Sequence, residues 1–285
     1  MSLDSLNTTL NRAIHASADL LRFVDIAQAG LHVATEAGHS VELRREVAEV
    51  LGKPNPFPTE TAYEDAKGQA QELEAFARRE RERGFDFLYG LATVRLWTIL
   101  EILVDDLAVL ILQEPDLLTD QQVLQELEGP VLPFVRATPA ERAEYLADRL
   151  RAHVKGPLKS GIGRFEALLG PVRLGGPVDA TVRRILLELS EVRHALVHRD
   201  GLIDKKLRAA CPWLADATSE RLQLTRNHYM TYAFGVDWYI LEIALRAGKV
   251  FGTEVPERTR EVQNRVHDRL TDLLVSRPPS SGAIA

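Results

Sequence analysis

Glu191-Val-Arg-His-Ala-Leu-Val-His-Arg-Asp-Gly201 is the stretch on which the reading of this chain turns. An apolar run with helical spacing, Val182 to Leu189, leads into it, and a turn signal, Asp200-Gly201, follows it. The stretch therefore reads as the end of a helix that starts at Asp179 or Thr181. Arg193 carries a permanent charge, whereas His194 and His198 titrate near neutral pH. A fixed cation can hold a phosphate while an imidazole moves a proton, which is the combination phosphodiester chemistry needs.

Helix geometry constrains how these groups combine. Glu191, His194 and His198 stand at i, i+3 and i+7 and share a face. Arg193 and His198 are five residues apart, about 140° around an ideal helix. They meet only if the helix loosens near His198, or if two copies of the motif face each other so that Arg193 of one chain stands beside His198 of the other. The plainer alternatives are a salt bridge from Arg193 to Glu101 or Asp105, and a His198 that does no more than complement the helix dipole.

Outward from the motif the chain reads as helix after helix. Leu3, Leu6, Leu10, Ile14, Leu20, Leu21 and Val24 keep helical spacing over residues 3–37. Gly38 and Ser40 interrupt it, and Val41–Leu51 forms a second helix. Lys53-Pro-Asn-Pro-Phe-Pro58 carries three prolines and is a stiff linker or strap. Residues 60–84 mix charges of both signs, as in an exposed helix laced with i,i+4 pairs. From Phe85 to Gln113 that helix or its continuation turns apolar on most of its circumference, which predicts a central position in a bundle, and Pro115 ends it. A short helix is expected over 121–127. Thr138-Pro139-Ala-Glu141 combines an N-cap, a first-turn proline and a capping-box acid, and starts a helix running to Val154. Residues 156–176, rich in Gly and Pro, read as a loop excursion with one apolar piece, Phe165 to Leu169. A long helix follows from Ser219, or after an extended piece at Leu222–Leu224, and ends at Gly248. Val255–Leu274 is a last amphipathic helix. The expected organisation is an N-terminal helical extension with its linker over 1–58, a helical bundle over 59–275 and a disordered tail over 276–285. The fold class is all-α.

Composition narrows the function. The 285 residues are 45% hydrophobic and 27% charged, a globular balance. The net charge of −6 argues against binding long duplexes through many phosphates. Between Thr181 and Ala210 seven Arg or Lys stand against four Asp or Glu, a net of +3, so the motif lies in a locally positive segment. A single cysteine, Cys211, allows no internal disulfide or cysteine metal cluster. The polar N-terminus lacks a secretory pattern, and Glu101, Asp105 and Asp106 interrupt the longest apolar stretch, so no membrane association and a cytoplasmic setting are expected.

The run Arg-His-Ala-Leu-Val-His from Arg193 to His198 resembles the signature of the HEPN superfamily (higher eukaryotes and prokaryotes nucleotide-binding), an arginine followed after four to six residues by a histidine. His194 stands where many members carry Asn, Asp or His. Leu186–Val192 is similar to the family's apolar approach, Leu91–Leu107 with Trp97 and Glu101 to its long central helix with an embedded acid, and Leu224–Leu245 to its closing helix. The resemblance spans about Phe85 to Gly248. It implies a dimerising bundle of four to five helices and, in many members, metal-independent endoribonuclease activity without a cofactor, in stress or phage defence and toxin–antitoxin systems. It also implies roles. His198 is the general acid or base for attack by a ribose 2′-hydroxyl, Arg193 holds the phosphate, His194 is a second polar or proton-carrying group, and Glu101 orients Arg193 or His198.

Two other readings compete. Glu191-x-x-His194, Glu36-x-x-His39 and the i,i+4 pair His194/His198 have metal-ligand spacing. Gly38 inside the second motif, and the cations Arg193 and Arg199 beside the first, oppose it. A non-catalytic scaffold would use the N-terminal helices and the charged 60–84 segment to bind a protein or nucleotide partner, and would not need both Arg193 and His198. Trp213, Trp238, Tyr229 and Tyr232 are expected in the core rather than as base-stacking platforms.

Overall fold

Several helices start where a short polar side chain caps them, as Thr59, Asp179 and Asp204 do, and the observed architecture is all-α. In the computed structural model, residues 3–114, 118, 122–154, 161–214, 220–252, 255 and 257–275 are described. Twelve α-helices occur among them: α1 Leu3–Ala34, α2 Ala37–Val50, α3 Glu60–Glu82, α4 Asp86–Leu112, α5 Gln122–Gln125, α6 Val131–Arg136, α7 Pro139–Val154, α8 Gly163–Leu169, α9 Ala180–Arg199, α10 Lys205–Ala210, α11 Arg226–Phe251 and α12 Glu257–Val275. One isolated antiparallel bridge, Leu202 to Arg221, is the only extended pairing among the described residues. No helix among them is long and apolar enough to cross a membrane. The expected tail over 276–285, the stop at Pro115 and the helix start at Ser219 lie outside the described residues.

The chain groups into two compact units. The first contains residues 1–20, 93–222 and 227–285, and the second residues 21–92 and 223–226. The expected boundary at residue 58 falls inside the second unit.

In the first unit, α4, α9 and α11 supply the core. Leu96, Leu100, Leu103 and Leu107 of α4, Leu186, Leu189 and Val192 of α9, and Tyr232, Val236 and Tyr239 of α11 are all buried. Each such leucine contributes roughly 2 kcal/mol by leaving water. A Cβ on Gly235 would come within 2.9 Å of Ile185 Cγ2, so α9 and α11 cross at a distance only glycine permits. A polar hub fixes α8 and α12 to α11. Arg246 donates to both Glu166 carboxylate oxygens (2.9 and 3.1 Å) and to the Leu174 and Pro177 carbonyls. Tyr239 donates to the same Glu166 (2.7 Å), and Gln263 of α12 to Glu242 (2.9 Å). Ser17, fully buried on α1, donates to Asp237 of α11 at 2.6 Å. On α4 the apolar circumference is not wholly covered, since Ile102 remains 43% exposed.

In the second unit α2 and α3 form an antiparallel hairpin whose register is written in polar rungs. The Gly38 amide donates to Glu74 (3.0 Å), Lys67 pairs with Glu42 (2.9 Å) and Arg45 with Glu60 (2.8 Å). Thr59 caps α3 by accepting from the Ala62 amide. Gly38 therefore lies in the first turn of α2 rather than marking a break, and the interruption falls at Thr35–Glu36. Residues 60–113 are two helices, because Gly84 and Phe85 both adopt positive φ (67° and 64°) between α3 and α4. Burial of Phe85, whose ring meets His32 edge-on, holds that unfavourable backbone state.

Candidate active site

The motif helix is set by its ends. Asp179 caps α9 by accepting from the Thr181 and Val182 amides (2.8 and 3.1 Å). At the other end Asp200 takes the left-handed conformation (φ 51°), and the Gly201 amide donates back to the Ala195 carbonyl at 3.0 Å. The α-helix thus continues through Arg199, and the loosening near His198 that would turn it toward Arg193 does not occur.

The four candidate residues divide into two groups. Arg193 faces α4, where its Nη2 lies 4.0 Å from Glu101 Oε2. Of the two acids expected to receive it, Asp105 is instead taken by Arg151 of α7 (3.0 Å). Glu101 therefore faces Arg193. His198 is exposed, and its ring stacks obliquely on that of His194, with centroids 4.9 Å apart. Among the described residues no hydrogen bond or ion pair joins Arg193 to His198. One chain therefore presents a guanidinium with its carboxylate on one face of α9, and a pair of imidazoles on another.

A residue that sequence spacing did not single out joins the first group. Arg164, at the start of α8, brings its Nη1 to 3.6 Å from Glu101 Oε1. Its neighbour Phe165 is buried and stacks on Trp97 of α4 (centroids 4.7 Å), and Trp97 stands one helical turn before Glu101. Anchoring Phe165 on Trp97 therefore delivers Arg164 to Glu101. The approach also depends on Gly161, whose φ of 58° brings the chain so near α9 that a Cβ there would lie 2.9 Å from the Leu187 Cα. Phe165–Leu169 is thus a helix and not part of a loop. The signal available in the sequence was a lone cation beside an aromatic in a glycine-rich segment, and it has no periodicity to read.

The surroundings of α9 are polar but internally matched. Buried Glu188 accepts from Trp213 Nε1 (2.6 Å) and from the Tyr232 hydroxyl (2.7 Å). Arg184 lies over the Trp213 ring at 4.0 Å. Glu191 is buried and pairs with Lys206 of α10 at 3.1 Å. Asp204 caps α10; the Leu207 amide holds its carboxyl below the usual range, with help from the charges of Arg199 and His194. Cys211 is fully buried, and burial together with Glu188 and Glu191 pushes its thiol up to about 12, so it is no nucleophile at neutral pH. Tyr229, Tyr232 and Trp238 are core residues, as expected, whereas Trp213 is only half-buried. Among the described residues no three His, Cys, Asp or Glu side chains converge as metal ligands.

Compared with models of known protein families, with curated proteins and with solved structures, the chain matches none.

Proposed function

We propose that this chain is a HEPN-like, metal-independent endoribonuclease whose active site is completed by a second copy. The observation that carries the reading is the Arg193-x4-His198 signature at the C-terminal end of a helix packed in an all-α core, with Glu101 of the central helix set against its arginine. Because the two groups occupy different faces of α9, the reading requires a two-fold pair in which each chain lends His198 to the other's Arg193.

In this mechanism the ribose 2′-hydroxyl attacks the adjacent phosphorus. Its proton passes to one imidazole while the 2′-O–P bond forms. The bond from phosphorus to the 5′ oxygen breaks, and that oxygen takes a proton from an imidazolium. His198 and its neighbour His194 are the two proton carriers. Arg193 binds the non-bridging oxygens and offsets the added negative charge of the transition state. The products are a 2′,3′-cyclic phosphate and a 5′-hydroxyl. The local net charge of +3 around α9 supports contact with a short single-stranded segment rather than a long duplex. Action in the cytoplasm, in stress or phage defence or as a toxin restrained by a partner, follows from the family resemblance.

The test is RNA cleavage in the presence of a chelator. His198→Ala is expected to retain the fold and lose at least about 10²-fold in rate. Arg193→Lys, which keeps the charge but not the planar fork, loses most of the activity. Equal cleavage by the wild type and His198→Ala overturns the catalytic assignment. The alternative, a non-catalytic scaffold for a protein or nucleotide partner, is favoured by one observation, the separation of Arg193 from His198 within a single chain.

A further inference from the structure

We infer that Arg164 and Arg193 form a two-armed clamp for a phosphate group, and that the Glu101 carboxylate occupies this clamp when no phosphate is bound. Two guanidinium groups from different helices converge on one carboxylate, leaving a net positive charge. Their separations from it, 3.6 and 4.0 Å, are longer than hydrogen bonds, so the carboxylate balances the charges without engaging the donors fully. The Arg193 Nε is buried and has no hydrogen-bond partner among the described residues. A donor left in this state costs free energy unless an acceptor arrives. The site is open to solvent on the Arg164 side, where 46% of the side chain is exposed.

Phosphate matches what the carboxylate leaves unmet. Its tetrahedral oxygens can accept from two planar forks at once, and its charge exceeds that of a single carboxylate when it is a monoester or a free ion. Glu101 then has two effects. It holds two like charges together in the empty site, and it competes with the incoming anion. The burial of Phe165 against Trp97 keeps Arg164 in place for this function. The inference rests on the phosphate-holding role given above to Arg193, and it adds a second arm and a built-in competitor.

Thermal melting in inorganic phosphate, against chloride at matched ionic strength and pH, reads the clamp without any cleavage. The wild type is expected to melt higher in phosphate. Arg164→Ala and Arg193→Ala each lose that difference, and Arg164→Lys keeps only part of it. Glu101→Gln binds phosphate about fivefold tighter, because a competing charge has gone. Circular dichroism confirms that each variant is folded. Repeating the titration with a short RNA oligonucleotide separates a free phosphate ligand from a nucleic-acid one, since only the latter shifts the melt at micromolar concentration. No phosphate-specific shift in the wild type, an unchanged shift in Arg164→Ala, or weaker binding by Glu101→Gln overturns the clamp. A clamp that binds phosphate in a protein that never cuts RNA would leave the inference standing and remove the nuclease. Cleavage lost in Arg193→Ala but untouched in Arg164→Ala, with no phosphate effect, would do the reverse.

Discussion

Asp237 lies half-buried on α11, and the Ser17 hydroxyl donates to it at 2.6 Å. Burial pushes its carboxyl up from 3.8 to about 6, although the Ser17 hydrogen bond pulls the other way. The unfolded chain releases the same proton near 3.8. Below that value both states are protonated and the residue is neutral in its effect. As pH rises toward 6 the unfolded state ionises first, so stability falls, and the loss is complete above 6. Asp237→Asn keeps an acceptor for Ser17 and removes the penalty. Urea midpoints are expected to show the variant more stable than the wild type by about 3 kcal/mol at pH 7.5 and indistinguishable from it at pH 3.5. A variant that is no more stable at pH 7.5 contradicts this account. At the same scale, Arg193 and His198 could be singled out in the sequence because they are rare chemistry at a fixed spacing, although the helix keeps them on different faces within one chain. Arg164 was not legible, since its approach to Glu101 depends on where a glycine and a phenylalanine carry it.

The elements whose bounds sequence periodicity placed best are those long enough to bury a stripe, although the four-residue α5 was also expected, over 121–127. α1, α7, α9 and α12 fall close to their expected bounds, and the capping box of α7 is formed, with the Thr138 amide donating to Glu141 at 2.7 Å. The short helices α6, α8 and α10 bury too little of a repeating face to leave a pattern. The Phe85 break was hidden because a left-handed phenylalanine is decided by its packing and not by its own preference. α8 makes a prediction of its own. Gly161→Ala introduces a Cβ at 2.9 Å from the Leu187 backbone and forces a residue with φ of 58° to bear a side chain. It is expected to cost about 2 kcal/mol in a urea melt. Gly163→Ala, two residues on, has no atom within 4 Å of the new Cβ and should change stability by no more than about 0.5 kcal/mol. Equal effects of the two would show that α8 is not held against α9 as described.

For the whole molecule, the question is whether one chain is enough. The net charge of −6 with a positive segment around α9 limits any RNA contact to a few phosphates near the motif. An α9 that stays helical through Arg199 separates Arg193 from His198, so the proposed reaction needs two copies. Mixing two inactive variants tests this most directly. Arg193→Ala and His198→Ala chains, unfolded and refolded together at equal amounts, pair at random. Each mixed pair then contains one complete site, formed by the arginine of one chain and the histidine of the other. The account predicts that the mixture recovers about a quarter of wild-type cleavage while each variant alone has essentially none. A mixture as inactive as its components, under conditions in which the refolded wild type cuts RNA, would contradict it.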